Sequence, residues 1–451
     1  MPNVAGMLDD GLSHPPPTTG SWPYNTFLPA DPIGSSYVDP VFGTTVKRLT
    51  TDDLDDDIYS RNMWWNADET RYFHQGKIIN VVSNTVEYTG VPLASGGGNN
   101  EGFDPVDPNV YWYYSGTEIR KITLQGGGSW SDTLFFTAPS TILDLGSSHN
   151  WWDNSGRYFV VRYGSEPSIY LYDKLNIGSG PYANPISGAS TVDQNGYVGI
   201  TGDATMLWGA WFPSQGPGGA DLCRWTITHG TRTVSSTRNI FYSTGGDHAY
   251  AMKGSDGVNY CLTFSASGPN YTMFRVNMAL NQAGRTGAQQ EADNFQLLPD
   301  LAPFYDDFGE ITGVSSGALQ NWGLVSIYSG DDVFNGGVSP WRRYKQEVIA
   351  LNIITGEVRR LCHHRSRSPS ADYFHVCRAS MSWKGKYVAF SSNFNVNAAN
   401  NVNIFAVQFD LDAGQVDYVL NATQGAYALV GNSAAMQRGV PTSLWFHYRR
   451  P

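Results

Sequence analysis

Arg61-Asn-Met-Trp-Trp-Asn-Ala-Asp68, followed by Arg71-Tyr-Phe73, is the stretch from which the fold can be read. A few polar or ionisable residues open it, a turn rich in Asp, Asn or Gly follows, and an aromatic or β-branched run closes it. The same order returns in Glu101-Gly-Phe-Asp-Pro-Val-Asp107 before Val110-Tyr-Trp-Tyr-Tyr, and in His149-Asn-Trp-Trp-Asp-Asn-Ser-Gly156 before Arg157-Tyr-Phe-Val-Val. It continues with Tyr197-Val-Gly-Ile-Thr-Gly-Asp203 before Met206-Leu-Trp, and with His248-Ala-Tyr-Ala-Met-Lys-Gly-Ser-Asp256 before Val258-Asn-Tyr. Ile311 to Gln320 before Leu324-Val-Ser-Ile-Tyr, and His375 to Gly385 before Lys386-Tyr-Val-Ala-Phe, complete the set. About seven copies stand roughly 40–60 residues apart, the period of a four-stranded propeller blade with variable loops. The sequence therefore predicts an all-β chain folded as a single seven-bladed β-propeller.

Composition supports this. Aromatic residues make up 14% and charged residues only 15%, with 49 Gly and 24 Pro, which favours many short strands joined by tight turns over long amphipathic helices. No helix is expected. Propellers grow by adding blades that each bury a face against a neighbour, so 451 residues fit one domain. Residues 1–44, with the run Pro15-Pro-Pro-Thr-Thr-Gly, read as an irregular arm. Residues 45–451 read as the propeller, closed by Thr45-Val-Lys-Arg-Leu-Thr50 lying in the last blade beside Val402–Phe409 and Val416–Leu420, because lending a terminal strand removes an exposed edge.

The 29 basic and 40 acidic residues give a net charge of −11, which argues against a surface that tracks nucleic-acid phosphates. The local basic runs Arg342-Arg343-Tyr344-Lys345 and His363-His-Arg-Ser-Arg367 read as solvated loops. Met1-Pro-Asn-Val-Ala-Gly lacks the basic start and apolar core of a secretory signal, and no run approaches transmembrane length. The expectation is a soluble chain with neither nucleic-acid nor membrane partner. Cys223, Cys261, Cys362 and Cys377 lack metal-ribbon spacing and read as buried free thiols, with a Cys362–Cys377 bridge as the alternative. The acidic run Asp52 to Asp57 lacks the Gly and Glu of a calcium loop and reads as solvated.

Two stretches carry a family resemblance. Tyr37-Val-Asp-Pro-Val-Phe-Gly-Thr-Thr-Val-Lys-Arg-Leu-Thr50 with Arg61-Asn62 and the Asp68 turn forms one. The other joins Val348-Ile-Ala-Leu-Asn352, Gly356, Arg360-Leu-Cys362 and His364 to His375, Ser380, Gly385 and Phe390-Ser-Ser-Asn-Phe394. In these stretches the chain resembles the oligogalacturonate lyases, TolB-type seven-bladed propellers. The resemblance implies β-elimination across uronic acid residues with a divalent cation held by histidines and a glutamine at the mouths of the late blades. Here His375 stands near the place of one such histidine, but Cys377-Arg378 replaces the tightly spaced second one and Glu310-Ile-Thr-Gly-Val offers none. A guanidinium repels a cation, so the expectation is no cofactor, with a bound divalent cation as the less favoured alternative.

In a propeller the residues that open each inner strand converge on one mouth of the channel although they are far apart in sequence. That placement makes His149, His248, Tyr250 and Arg378 the candidate catalytic residues. Arg61, Asn62, Glu101, Tyr197 and His375 are the candidate substrate-binding residues. Eliminating across a uronate requires neutralising its carboxylate, a base for the C5 proton and an acid for the leaving oxygen. Arg61 or Arg378 would supply the first, and His149, His248, Tyr250 or Tyr197 the others. Against this stands the structural reading, in which His149 hydrogen-bonds a blade backbone, Asp247-His248 forms a turn, and the tyrosines serve as core or rim. The two functional expectations are a lyase-like propeller acting on an acidic glycan, and a non-catalytic binding or assembly module such as an adhesin or a virion tail component.

Overall fold

The computed structural model describes residues 6–16, 33–51, 62–94, 101–145, 151–164, 168–186, 198–211, 220–265, 272–298, 307–314, 316–329, 342–366, 377–394, 402–409, 419–423 and 426–430. Their regular structure is almost entirely antiparallel β, in seven blades around a channel. Blade one pairs Trp65 with Tyr72 and adds Arg71–His74, Lys77–Asn80 and Thr85–Tyr88. Blade two contains Gly102–Phe103, Val110–Ser115, Glu118–Leu124 and Trp130–Thr137. In blade three the inner strand has two parts, Ile142–Asp144 and the bridge from Trp152 to Phe159. Tyr158–Tyr163, Ser168–Asp173 and the bridge from Ile169 to Ile186 complete that blade.

Blades four and five share a strand. Asn239–Lys253 pairs in its first half with Ala220–Thr228 as the outermost strand of blade four, and in its second half with Asn259–Ser265 as the innermost strand of blade five. The register breaks between Gly245 and Ala249, where the chain crosses from rim to channel. Blade four is completed by Val198–Ile200 and Met206–Trp211, and blade five by Met273–Asn277 and Phe295–Leu298. Blade six runs Asp307–Gly313, Trp322–Ser329, Glu347–Asn352 and Val358–His363. Its inner strand thus starts ahead of the expected Ile311.

Blade seven contains Ala379–Met381, Tyr387–Ser392 and Asn403–Gln408, and its fourth strand is Thr45–Arg48. Phe405 pairs with Arg48 and Val407 with Val46. Val419–Thr423 does not join this blade; it pairs with Ala426–Val430 as a separate hairpin. The arm is also not irregular throughout. Met7–Leu8 adds a fifth strand to blade six and Ser36–Val38 a fifth to blade seven, each satisfying an edge that would otherwise stand open. One helix was not anticipated: Gly287–Ala292, held by a capping box between Thr286 and Gln289. At six residues it is too short to show a helical period. No described helix is long and apolar enough to cross a membrane, and the four cysteines are free and buried.

Apolar clusters fill every seam between neighbouring blades. Trp64, Phe73, Tyr111 and Tyr387 pack where blade one meets blades two and seven, and Tyr250, Met252, Leu262, Val325 and Ile349 pack between blades five and six. Each such large side chain contributes about 1.5–3 kcal/mol by leaving water. The five–six seam is closely packed around two glycines. A Cβ at Gly313 or Gly323 would collide with Met252 or Leu262.

A polar contact also crosses every seam on the face where the first and second strands of each blade are joined, called here the turn face. In order around the ring these contacts are Asn66 Nδ2 to the Pro108 carbonyl at 3.1 Å, Lys174 Nζ to Asp104 at 3.0 Å, and the Asn154 N–H to the Gly202 carbonyl at 2.9 Å. Lys253 Nζ to Asp203 at 3.0 Å, the Ser255 N–H to Asn321 Oδ1 at 2.8 Å and the Ser316 N–H to the Trp383 carbonyl at 3.2 Å follow. Glu69 closes the circle, accepting from Ser382 Oγ at 2.5 Å and from the backbone N–H groups of Lys384 and Lys386. This lacing fixes the lower ends of the inner strands and so the positions of the residues at their upper ends.

Candidate functional site at the channel mouth

Each inner strand begins at the mouth and descends to the laced turn face. Asn62 and Glu101 open those of blades one and two and are buried, as is Trp151, which follows the candidate His149. His248 opens the inner half of the shared strand and is 9% exposed, while Arg378 immediately precedes the inner strand of blade seven and is 2% exposed. Arg61, His149, Tyr197 and His375 lie outside the described residues, as does the acidic run Asp52 to Asp57. The Glu310 backbone is part of the inner strand of blade six.

Strand alternation decides where the described candidates point. Tyr250 and Met252 pack in the cluster between blades five and six, whereas Ala249 and Ala251 pack in that between four and five. His248 lies at the register break between Gly245 and Ala249, where alternation no longer sets a direction, and its carbonyl accepts from Thr263 Oγ1 at 3.2 Å. Tyr250, only 2% exposed, is a member of the apolar seam itself. In blade seven, Ala379 packs toward blade six, so Arg378 and Ser380 take the opposite side; Ala389, across from Ser380, packs toward blade one. The Arg378 N–H donates to Ser391 Oγ at 3.2 Å. His248 and Arg378 thus occupy one sector of the mouth, on either side of the inner strand of blade six, which touches both neighbouring inner strands. The Glu101 carboxylate lies close to Tyr111, whose phenol is pushed well above its ordinary value by burial first and by that charge second.

The mouth end of blade six carries chemistry that sequence reading assigned to solvated loops. Tyr344, Lys345, Gln346, Glu347, His363, His364, Arg365 and Ser366 are all buried. Glu347 and Arg360, both fully buried, form a two-pronged ion pair at 2.5 and 2.7 Å. Arg360 also donates to the Leu12 carbonyl at 2.7 Å, and Asp9 accepts from Arg343 and from Tyr344 Oη, so the arm is locked onto this blade. His364 Nε2 donates to the Ile327 carbonyl at 2.9 Å while its Nδ1 accepts from the Ser366 N–H at 3.1 Å. Burial drives its pKa down to about 3, so it is neutral and fully engaged. Asp39 is pushed up by burial, but the hydrogen bond and charge of His363 outweigh this and bring it to about 2. Gln346, with φ of 59°, buries an amide that has no hydrogen-bond partner. The overlooked signal was a charge inside each apolar strand: Glu347 before Val-Ile-Ala-Leu, and Arg360 within Val358–His363.

Whether these residues suit a divalent cation follows from their chemistry. Cys377 sits in the apolar cluster between blades six and seven, Arg378 beside it is a cation, and His364 has both nitrogens committed. Among the described residues no three His, Cys, Asp or Glu side chains converge. The described residues do not form a divalent-cation site, and no chemical step is drawn through one.

No protein-family model and no curated protein matches this chain in sequence. Among solved structures it is similar to oligogalacturonate lyase from Vibrio parahaemolyticus, with 11% identity, 84% of this chain and 97% of that one covered, and a TM-score of 0.51. It is also similar to an oligogalacturonate lyase in complex with manganese, with 10% identity, 84% and 96% covered, and a TM-score of 0.53. The chain is thus a seven-bladed β-propeller whose architecture resembles that of the oligogalacturonate lyases.

Proposed function

We propose that this propeller acts on uronate-containing glycans at the channel mouth, by β-elimination. The observation that carries the reading is Arg378, a buried guanidinium at the mouth end of the inner strand of blade seven. A uronate gives up its C5 proton only when the negative charge of its carboxylate is neutralised, and a guanidinium does this through paired hydrogen bonds. A base then takes the proton, the electron pair forms the C4–C5 double bond, and the C4–O bond breaks with its oxygen receiving a proton. His248 is the described residue proposed as base, since imidazole changes charge nearest neutrality; His149 is proposed as the acid. Tyr250, packed in the seam beneath His248, is assigned to holding that strand. The shared fold with two lyases agrees with the reading and supplies no residue roles.

A second reading is favoured by one observation. The inner strand of blade six stands between His248 and Arg378, an arrangement that serves glycan binding without requiring both groups on one sugar. The absorbance of unsaturated uronate products over pectic, algal and glycosaminoglycan substrates, with and without chelator, separates the two. Product that disappears in Arg378→Ala supports elimination. Binding of a uronate glycan by the wild type with no product after long incubation leaves the binding module.

A further inference from the structure

Away from the mouth, on the outer circumference where blade three meets blade four, a cavity of about 470 Å³ is lined by residues that the proposed chemistry does not use. The strand pairing explains why it exists. In blade four Arg224 pairs with Asn239 and Ile227 with Val234, and the Ser235 N–H donates to the Thr226 carbonyl at 2.8 Å. Ser236 to Arg238 therefore have no place in the ladder and arch over Trp225, forming one wall. The opposite wall is the outer edge of blade three. Asn184, with φ of 60°, donates through Nδ2 to the Val234 carbonyl at 3.2 Å, and Ala183 bridges to Thr233. Ile186 and Trp225, both members of the cluster between these blades, make the floor.

The volume lies in the range of small-ligand sites, which pair an apolar surface with a few placed polar groups. Here the Trp225 indole and the Ile186 side chain are almost wholly buried and form only the floor, so a ligand would be held by the polar groups of the rim. Around it stand the hydroxyl groups of Ser235 and Ser236, the Asn184 amide and the Arg238 guanidinium. Burial raises the pKa of the Asp221 carboxyl, and Arg238 lies close enough to lower it, though by less.

We infer that this cavity is a second saccharide site, which holds one carboxylate-bearing sugar of the glycan through Arg238 at its rim while another part of the chain occupies the mouth. The inference deepens the proposed function and rests on its substrate class. The test measures trigalacturonate binding by titration calorimetry to the full-length Arg378→Ala protein, whose mouth is weakened. Binding should persist there, fall at least tenfold when Arg238→Ala is added, and fall equally with Ser236→Trp, which fills the cavity from an exposed position; maltotriose, its neutral counterpart, should bind at least tenfold more weakly. Unchanged binding in both cavity variants, or equal affinity for maltotriose, overturns the site. If the wild type yields no unsaturated product yet Arg238→Ala still removes the binding, the elimination reading falls and the second site stands.

Discussion

The two faces of the ring are built from similar residue types and behave differently. On the turn face, Asn66, Asp104, Asp203 and Glu69 each bond a neighbouring blade, and several also bond the backbone of their own turn, as Asp104 does with the N–H groups of Val106 and Asp107. A short turn closes on itself, so its side chains find partners within a few residues and one step around the ring. At the mouth, polar residues are buried against elements far away in sequence: Arg360 on the Leu12 carbonyl, Asp39 on His363, Asp9 on Arg343. The lesson is that one face holds the ring closed, while the other holds charge in a fixed, partly dehydrated place where it can act on a ligand.

That division can be broken experimentally. The largest effect is expected at the mouth: His248→Ala and Arg378→Ala should each lower turnover of a uronate glycan by roughly 10²- to 10⁴-fold, with melting temperatures close to wild type. Loss of folding in both variants would mean that the mouth, too, is structural. Next comes the buried pair of blade six. Arg360→Met leaves Glu347 charged and unpaired, and denaturant unfolding should show a loss of about 3–5 kcal/mol. Adding Glu347→Leu should recover most of it, because two apolar side chains of similar volume replace the pair without stranded charge.

On the turn face, Glu69→Ala removes the acceptor that joins blade one to blade seven. A stability loss of about 1.5–3 kcal/mol is expected by chemical denaturation, with kcat on the proposed substrate within twofold of wild type. A large loss of turnover in this variant would show that the two faces are coupled. The most gradual effect is a slope with pH. His364 titrates near 6.5 unfolded and about 3 folded. Between those values the unfolded chain takes up a proton that the folded one refuses, so stability falls by about 1.4 kcal/mol per pH unit as pH drops below 6.5. Asp39, lowered from 3.8 to about 2, adds a second loss confined to the interval between those values. His364→Gln should flatten the upper part of the profile and leave the lower part, as read from urea midpoints across pH.

Much of the fold could be read from the sequence because a propeller repeats itself. The Asp, Asn and Gly turns and the aromatic runs after them are local features, and they marked Val110–Ser115, Tyr158–Tyr163 and Tyr387–Ser392 as strands. The strand lent by Thr45–Arg48 was legible for the same reason, its Thr-Val-Lys-Arg alternation matching a burial pattern in which Val46 is fully covered. The site was less legible. His248 and Tyr250 look alike in sequence, two residues apart at the head of a repeat, yet Tyr250 belongs to an apolar seam. The basic run from His363 to Ser366 looked solvated and is buried, because the N-terminal arm and blade seven cover it from segments hundreds of residues away.

What the sequence by itself determined is the number of blades and the hand-over from turn to strand in most of them, since both follow from periodicity and turn chemistry within a few tens of residues. Only the tertiary structure decided which of those residues meet, that Gly245 to Ala249 carries one strand across two blades, that the arm caps blade six, and that a cavity forms beside Trp225. The reason is physical: burial and pairing across a seam depend on two blades approaching each other, and no local pattern in either blade encodes the side chain that the other will present.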